Sequence, residues 1–507
     1  MFSLLRPLHT KFPELRARRW PRVSTIYGRT TNGDSRRKSE NRSLNTSHAP
    51  KQQRPWRHLH TLAIETSCDD TSVAILRVSR DDSGTGEGAS KLKSEVLFHE
   101  KVTAKSESYG GIHPLVALHS HQQSLGPLVQ KALEQLDAIS CGRNGERRKG
   151  AQWRPDFVSA TRGPGMRSNL SVGLDTAKGL ALAWGVPLLG VHHMQAHALT
   201  PRLCSTLPST CDPGQTTTLS RGGGSSIHTP PRLPQAVQPD FPFLSVLASG
   251  GHTMLIESKS LVEHKTLAET GDIAIGTCLD KTARAILPPE LLVPPYGRAL
   301  EKFAFPDSEE SYKYTPPARR QEELEVKETM WGWFIGPPLA GTGYGKSNKR
   351  MLYSFTGMFT HVDRLMAVNP DRSVEERRDM AREVMRIAFE HLASRILLYL
   401  KELSPSERKN MSTVVVSGGV AANTFLRHVL RAFLDVRGHN NVKLEFPPIE
   451  LCMDNALMIA WAGMEMFNAG YESSLDVQPI RKWSMDSAAE DGGILGVGGW
   501  RNWDPQA

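Results

Sequence analysis

Two histidines, His193 and His197, lie four residues apart in a segment that is predicted to be helical. On a helix this spacing directs both imidazoles from one face, so that they can bind a single metal ion. Zinc proteases carry a glutamate directly after the first histidine of such a pair, but Met194 stands there, and Gln195 cannot act as a general base. Because the chain has 18 histidines, a chance spacing is the alternative to a metal site.

A metal site needs at least one more ligand, and Asp454 is a candidate. It follows a Pro-Pro loop and precedes an apolar segment, residues 456–466, that is predicted to form a helix. Two imidazoles and a carboxylate would leave a zinc-like or iron-like ion with open positions for a substrate. The alternative role for Asp454 is to cap that helix, and Cys452 is a softer competing ligand.

Two Ser-Gly-Gly turns follow predicted strands, at residues 249–251 and 417–419. Glycines at the carboxyl end of a strand allow backbone amides to approach a ligand closely, and a helix that starts just beyond them adds its positive dipole end. Such turns are suited to bind anions. The alternative is a tight turn without a ligand, and Asn423, after the second turn, could simply cap the next helix.

The elements that must position these residues follow an α/β pattern. Strand-like runs occur at 62–64, 73–76, 156–160, 187–191 and 414–416, and helical periodicity occurs at 169–184, 374–403 and 456–466. The first two runs flank a polar tip at 65–71, which predicts a β-hairpin. The order strand, helix, strand over 156–191 predicts two parallel strands joined by a crossover helix, and the second of these strands leads into the histidine helix.

The composition is that of a large folded protein, with 507 residues and 39% apolar content, enough for two or three domains. No apolar run approaches the roughly 20 residues of a membrane helix, so we expect no membrane insertion. The chain has a net charge of +9. Residues 1–58 hold 14 of the 62 Lys and Arg and 3 of the 53 Asp and Glu, so this segment alone has a net charge of 14 − 3 = +11. The remaining chain therefore has a net charge of −2, and its overall charge gives no indication of a nucleic-acid partner.

Residues 1–58 are rich in arginine, contain serine and have few acids. This composition is typical of a transit peptide and predicts import into the mitochondrial matrix. The alternative is a basic tail that binds RNA or acidic surfaces. The six cysteines form no Cys-x-x-Cys pair, which fits a reducing compartment rather than a disulfide framework.

Seven short motifs occur in one order along the chain, at 63–71, 110–114, 161–165, 193–197, 249–253, 417–423 and 452–456. This ordered set resembles the TsaD-type tRNA threonylcarbamoyladenosine transferases, and among them the mitochondrial form. The resemblance implies an α/β fold in which two similar actin-like ATPase (ribonuclease-H-like) domains enclose a nucleotide cleft. The expected organisation is a leader at 1–58, a first domain part at 59–202, a flexible insertion at 203–240, a second domain at 241–483 with an insertion at about 306–350, and a tail at 484–507.

The resemblance also implies the site residues. His193, His197 and Asp454 would bind one divalent metal ion, zinc or iron. The substrate threonylcarbamoyl-AMP would be bound by Leu247, Ala248, Ser249, Gly250, Gly251, Asp280, Gly297, Glu301 and Asn423. The chain departs from the family at Tyr296, where Pro-Gly-Gly is usual, and at residues 276–277, where acidic residues are usual.

The reaction that the resemblance implies is transfer of the threonylcarbamoyl group from its adenylate to the exocyclic amine of the adenosine 3′ of a tRNA anticodon. Asp69 and Asp70 are candidates for accepting the amine proton. The expected partners are tRNA and a second copy of the chain in a homodimer. A metal-dependent peptidase, a kinase or ATP hydrolase of the same superfamily fold, and a nucleotide-switched scaffold remain alternatives, because a fold does not determine a function.

Overall fold

A computed structural model describes residues 57–81, 91–106, 109, 111–140, 153–208, 236–309, 312–341 and 347–502 of the chain. Nearly all of the predicted transit peptide lies outside the described residues, as do residues 209–235 of the predicted insertion. None of the described helices is both long and apolar enough to cross a membrane.

Twelve strands are present in the described part of the chain. They are β1 (His58–Glu65), β2 (Asp70–Asp81), β3 (Lys91–Thr103), β4 (Phe157–Gly163), β5 (Leu188–His192), β6 (Phe243–Ala248), β7 (Thr253–Ser258), β8 (His264–Glu269), β9 (Thr413–Ser417), β10 (Lys443–Glu445), β11 (Tyr471–Ser473) and β12 (Trp500–Asn502).

The same part of the chain contains thirteen α-helices. They are α1 (Pro114–Ser140), α2 (Arg167–Trp184), α3 (His193–Thr206), α4 (Ile275–Ile286), α5 (Tyr296–Ala304), α6 (Arg320–Leu324), α7 (Thr356–Val368), α8 (Val374–Glu402), α9 (Pro405–Asn410), α10 (Thr424–Val436), α11 (Ile449–Cys452), α12 (Ala456–Asn468) and α13 (Gly493–Gly496).

The strands form two sheets, which confirms the predicted mixed α/β fold. The first sheet has seven strands in the order β12-β11-β5-β4-β1-β2-β3, and the second has five in the order β10-β9-β6-β7-β8. β1 and β2 pair antiparallel as the predicted hairpin, and β4 and β5 pair in parallel on either side of the crossover helix α2. The predicted long helix at 374–403 is α8.

Helices cover both faces of the first sheet. Side chains alternate along β1, so that Leu62 and Ile64 pack in a core with α1 and α2, whereas Ala63 packs in a separate core with α3 and α12. All seven residues of the central strand β4 are buried. A parallel strand that is covered on both faces explains this continuous burial.

The chain returns to the first sheet near its end. Helix α12 packs in the same core as β1 and α3, and β11 pairs with β5. The span 241–483 is therefore divided, because its strands through β10 build the second sheet and its later elements join the first. This return brings Asp454, just before α12, back to the histidine helix.

Candidate functional site

The predicted metal ligands meet at the start of α3. β5 ends at His192 and α3 begins at His193, so the two histidines lie in the first turns of a helix that is fixed to a buried strand. Asp454 Oδ1 lies 3.0 Å from His197 Nε2 and 3.5 Å from His193 Nε2. One ligand atom from each residue can be chosen so that all three lie within 4.8 Å of one another.

Asp454 is not the cap of the helix that follows it. The N-cap of α12 is Asn455, whose side chain accepts a hydrogen bond from the backbone N–H of Met458. The capping role that competed for Asp454 is therefore excluded, and its carboxylate faces the histidines. The thiol of Cys452 donates to the carbonyl of Pro447 instead of joining the cluster.

Glu65, at the end of β1, supports the first histidine and was not predicted from the sequence. His193 Nδ1 donates to Glu65 Oε2 over 3.2 Å. The hydroxyl of Thr161 donates to the same oxygen over 2.5 Å, and the backbone N–H of Ser67 donates to Oε1. This carboxylate is fully buried and fixes the ring so that the other nitrogen, Nε2, faces Asp454. Glu65 could have been expected from the geometry of parallel strands, since the carboxyl ends of β1, β4 and β5 meet at one edge.

Charge interactions in this cluster are strong. Burial disfavours a charged imidazole, but Asp454 and Glu65 outweigh it and raise the pKa of His193 to about 10. In the opposite sense, His193 lowers the pKa of Glu65 against the effect of burial, and His193 and His197 hold the pKa of Asp454 well below its usual range. A divalent cation would take over the compensating role of the proton on His193. Two imidazoles and a carboxylate with open positions fit zinc or iron.

The two aspartates of the hairpin tip differ in their surroundings. Asp70 is buried and pairs with Lys101 over 3.0 Å, and it also accepts a hydrogen bond from Thr103. Burial nevertheless raises the pKa of Asp70 to about 6. For Asp69, burial and the negative charge of Asp454 both raise the pKa. The charge of Asp454 acts on both aspartates, but Asp70 is also engaged by Lys101 and Thr103, which hold the hairpin to β3.

The two Ser-Gly-Gly turns lie side by side. β6 and β9 are parallel neighbours with Leu247 opposite Ser417, so both turns leave the same edge of the second sheet. Gly418 adopts a φ of 92°, and a Cβ atom there would lie 2.4 Å from the carbonyl oxygen of Ala248. Gly418 is thus required both by its backbone conformation and by the close contact between the turns.

The first turn is already ordered by its own serine. The backbone N–H groups of Gly251 and His252 donate to Ser249 Oγ over 3.3 and 3.0 Å. A Cβ atom added to Gly250 or Gly251 would contact nothing within 4 Å, so the turn faces open space. At Gly276, by contrast, a Cβ atom would lie 2.7 Å from the carbonyl oxygen of Ser249. This close packing gives a physical reason for glycine where the family usually has an acidic residue.

The remaining adenylate-binding candidates gather near the second turn in two pairs. The backbone N–H of Gly297 donates to Asp280 Oδ1 over 3.0 Å. Glu301 Oε1 accepts hydrogen bonds from the backbone N–H and the hydroxyl of Thr424, at 2.6 and 2.7 Å. Burial raises the pKa values of both carboxyl groups. The side chain of Asn423 accepts a hydrogen bond from the backbone N–H of Leu426 and so caps α10. Helix capping was the alternative role given for Asn423 from the sequence.

The histidine helix connects the metal cluster to the first turn. Leu199 packs in the core of the first sheet, whereas Met194 and Ala198 pack with Leu247, next to the end of β6. The side chains of Leu247 and Ala248 are themselves buried, so only their backbone groups can contact a ligand. His193 and His197 thus lie on one face of α3, and the residues that contact Leu247 lie about 100° around the same helix.

Comparison with known proteins identifies the group to which this chain is related. The family model described as "TsaD: tRNA N6-adenosine threonylcarbamoyltransferase" matches residues 95–229 and 226–461, which is most of the chain. The chain belongs to the TsaD family. As a TsaD-family protein it is a transferase, and the expectation drawn from the seven motifs is confirmed.

Two relatives show how far the similarity extends. The mitochondrial tRNA N6-adenosine threonylcarbamoyltransferase of Schizosaccharomyces pombe is 35% identical over 453 residues, which cover 88% of this chain and 90% of that protein. The tRNA N6-adenosine threonylcarbamoyltransferase of Rhizobium leguminosarum bv. trifolii is 30% identical over 449 residues, covering 87% and 97%. Among solved structures, full-length HypF in its phosphate- and nucleotide-bound form is similar to this TsaD-family chain with 10% sequence identity and a TM-score of 0.41. The alignment covers 82% of this chain and 56% of the HypF chain.

Proposed function

We propose that the protein transfers the threonylcarbamoyl group of threonylcarbamoyl-AMP to the exocyclic amine of the adenosine 3′ of the anticodon, in mitochondrial tRNAs that read codons starting with A. The amine nitrogen forms a bond to the carbamoyl carbon, the bond from that carbon to the phosphate oxygen breaks, and AMP leaves. The observation that carries the proposal is the convergence of His193, His197 and Asp454 beside paired glycine turns, in a chain of the TsaD family.

The amine of adenine is a poor nucleophile, so the carbamoyl carbon must be made more electrophilic. A divalent ion bound by His193, His197 and Asp454 would supply Lewis-acid polarisation and hold the threonyl end of the donor. Glu65 serves this site by fixing the ring of His193.

The leaving phosphate calls for groups that stabilise negative charge. The turns at 249–251 and 417–419 lie at the ends of two parallel strands, where backbone N–H groups would stabilise charge that grows in a transition state. The N–H of Gly251 already donates to Ser249 Oγ, so the phosphate would be bound mainly by the N–H groups of Gly250, Gly418 and Gly419. Asp280, Gly297, Glu301 and Asn423 would bind the nucleoside side of the adenylate.

The amine must also lose a proton. We assign this role to Asp69 rather than Asp70, because Asp70 is engaged by Lys101 and Thr103. The raised pKa of Asp69 brings its carboxylate closer to the proton affinity that a general base needs near neutral pH.

The peptidase alternative has little support. Glu65 is the carboxylate nearest to His193 Nδ1, but its two oxygens accept hydrogen bonds from Ser67, Thr161 and His193. It therefore acts as a support for a ligand and does not stand in for the water-activating glutamate of a zinc protease.

The test is a reaction of residues 59–507, loaded with metal, with threonylcarbamoyl-AMP and unmodified mitochondrial tRNA, followed by mass spectrometry of the digested nucleosides. We expect threonylcarbamoyladenosine and one AMP per modified adenosine. Turnover of ATP without modified adenosine would replace the proposal with the hydrolase alternative. In the same assay, Asp69→Asn should lower the rate on the order of 100-fold if this residue is the general base.

We further propose that residues 1–58 direct the protein to the mitochondrial matrix, in agreement with the name of the Schizosaccharomyces pombe relative. A fluorescent reporter fused to residues 1–58 should accumulate in the matrix, and a diffuse signal would contradict this. A homodimer is the proposed assembly, and light scattering of the purified protein should give twice the chain mass.

A further inference from the structure

A large cleft lies beside the metal cluster and has no role in the function described so far. Its volume is about 890 Å³. One wall is formed by the edge of the second sheet, from Met254 and from residues 266–269, and the opposite wall is formed by residues 481–486 and 489–491. His252, at the end of the first glycine turn, forms part of the lining.

The cleft adjoins the candidate metal site but is lined neither by the metal ligands nor by the candidate nucleoside-binding residues. The lining residues do not include Asp280, Gly297, Glu301 or Asn423. They do include His192 and Met194, which flank the metal ligand His193. A donor and an acceptor can therefore approach the metal site from two sides.

The outer wall of the cleft carries two adjacent basic residues besides the acids Asp486, Glu490 and Asp491. Arg481 and Lys482 are adjacent and exposed. The carbonyl of Arg481 accepts a hydrogen bond from the backbone N–H of Gly165, and Ile480 N–H donates to the carbonyl of Arg162 over 2.8 Å. The guanidinium of Arg162 also lies 5.6 Å from the ring centroid of Trp483. The backbone of this wall is thus anchored to the loop after β4, while the side chains of Arg481 and Lys482 remain exposed.

Two of the acidic residues that line the cleft are already engaged. The carboxylate of Asp486 accepts from the backbone N–H groups of Thr266 and Ala488, at 2.9 Å each. Asp491 accepts from Ser484 and Gly493 in the same way. These hydrogen bonds tie the outer wall together, and the acids that remain are Glu269 and Glu490.

We propose that this cleft receives the acceptor adenosine of the tRNA, flipped out of the anticodon loop, while Arg481 and Lys482 contact the phosphates beside it. The inference rests on the proposed function. Binding clefts of roughly 300–1,000 Å³ accommodate ligands of this size. Proteins commonly read single-stranded RNA loops by taking unstacked bases into pockets, and lysine and arginine neutralise the backbone. Of the described residues, only two basic ones, Arg481 and Lys482, line the cleft. They would therefore contact only the phosphates next to the bound adenosine.

The test compares the double variant Arg481→Glu, Lys482→Glu with a matched control, Lys401→Glu, Lys409→Glu. Lys401, at the end of α8, and Lys409, in α9, are exposed and precede the amino end of β9, at the opposite end of the second sheet from the glycine turns. For each protein we would measure the Kd for unmodified tRNA at several salt concentrations, together with KM for tRNA and for threonylcarbamoyl-AMP.

We expect the cleft variant to bind tRNA at least about tenfold more weakly and to show a salt slope smaller by about two, one for each lost phosphate contact. Its KM for threonylcarbamoyl-AMP should be unchanged, and the control should match the wild type. The neutral double variant Arg481→Gln, Lys482→Gln should give a smaller loss in the same direction, which separates lost contacts from introduced repulsion.

Equal tRNA affinity in the wild type and the cleft variant would overturn the proposal, and so would an equal loss in the control. Failure of the proposed function gives a different result. In that case the wild type transfers no threonylcarbamoyl group, but tRNA binding still reports on the cleft.

Discussion

The candidate metal site on α3 and the candidate adenylate-binding turns, which adjoin the same helix, are built in different ways. At the metal cluster, His193, His197 and Asp454 direct side-chain atoms at one point, and a buried carboxylate supports one of them. At the adenylate side, Glu301 and Asn423 are already engaged at the start of α10, and the glycine turns offer mainly backbone groups.

This difference has a physical reason. A metal ion needs a few strong donors at short distances, so its ligands must be preorganised side chains with a support behind them. A nucleotide is larger, and backbone N–H groups at strand ends can bind its phosphate without a charged side chain. We therefore expect substitutions at the metal cluster to have large effects, and substitutions at the adenylate side to have graded ones.

The largest effect should come from the metal ligands. His193→Ala or Asp454→Ala should lower transfer by at least about 100-fold, because Lewis-acid polarisation contributes several kcal/mol to the transition state. Metal content and thermal unfolding would be measured together with the transfer assay. His119→Ala, on the exposed side of α1, is the control. A variant that keeps its activity after losing the metal would remove the ion from the mechanism.

Loss of the support behind His193 should have the next largest effect. Glu65→Gln keeps the shape of the side chain but weakens its interaction with His193 Nδ1, so metal affinity should fall about 10- to 100-fold. The affinity is measured by competition with a chelating dye, which does not depend on transfer. Transfer at saturating metal should recover most of its rate. Unchanged metal affinity would show that Glu65 only stabilises the fold.

Metal affinity should also depend on pH. Below the pKa of about 10 for His193, the imidazole carries a proton that the metal must displace. Lower pH therefore weakens binding, and the affinity should rise by about tenfold for each pH unit between pH 6 and 8 if one proton is released. Titrations in buffers with different ionisation enthalpies would count the protons. A pH-independent affinity would contradict the assigned charge state of His193.

The smallest effect should be found on the adenylate side. Glu301→Gln weakens the hydrogen bonds to Thr424, each worth on the order of 1 kcal/mol. We expect KM for threonylcarbamoyl-AMP to rise about threefold to tenfold while metal affinity stays constant. The control is Glu290→Gln, an exposed glutamate in the short segment before α5. If Glu301→Gln instead lowered metal affinity, the two regions would not be independent.

Much of the fold was predictable because it depends on local patterns. The hairpin, the parallel pair around α2 and the long helix α8 all follow from apolar periodicity and turn residues. The helical spacing of His193 and His197 was equally local. The return of α12 and β11 to the first sheet was not, because it depends on which apolar surfaces fit together over more than 250 residues of chain.

The amino-acid sequence by itself determined which side chains are available and the family to which the chain belongs. Tertiary structure decided their roles. It assigned the cap of α12 to Asn455 and left Asp454 for the histidines, and it placed Glu65 behind His193 because three parallel strands end at one edge. It also distinguished Asp69 from Asp70, since only the packing of β3 supplies Lys101 as a partner. A residue type sets the chemistry that is possible, but hydrogen-bond partners and burial, which come from distant parts of the chain, determine which of these possibilities is used.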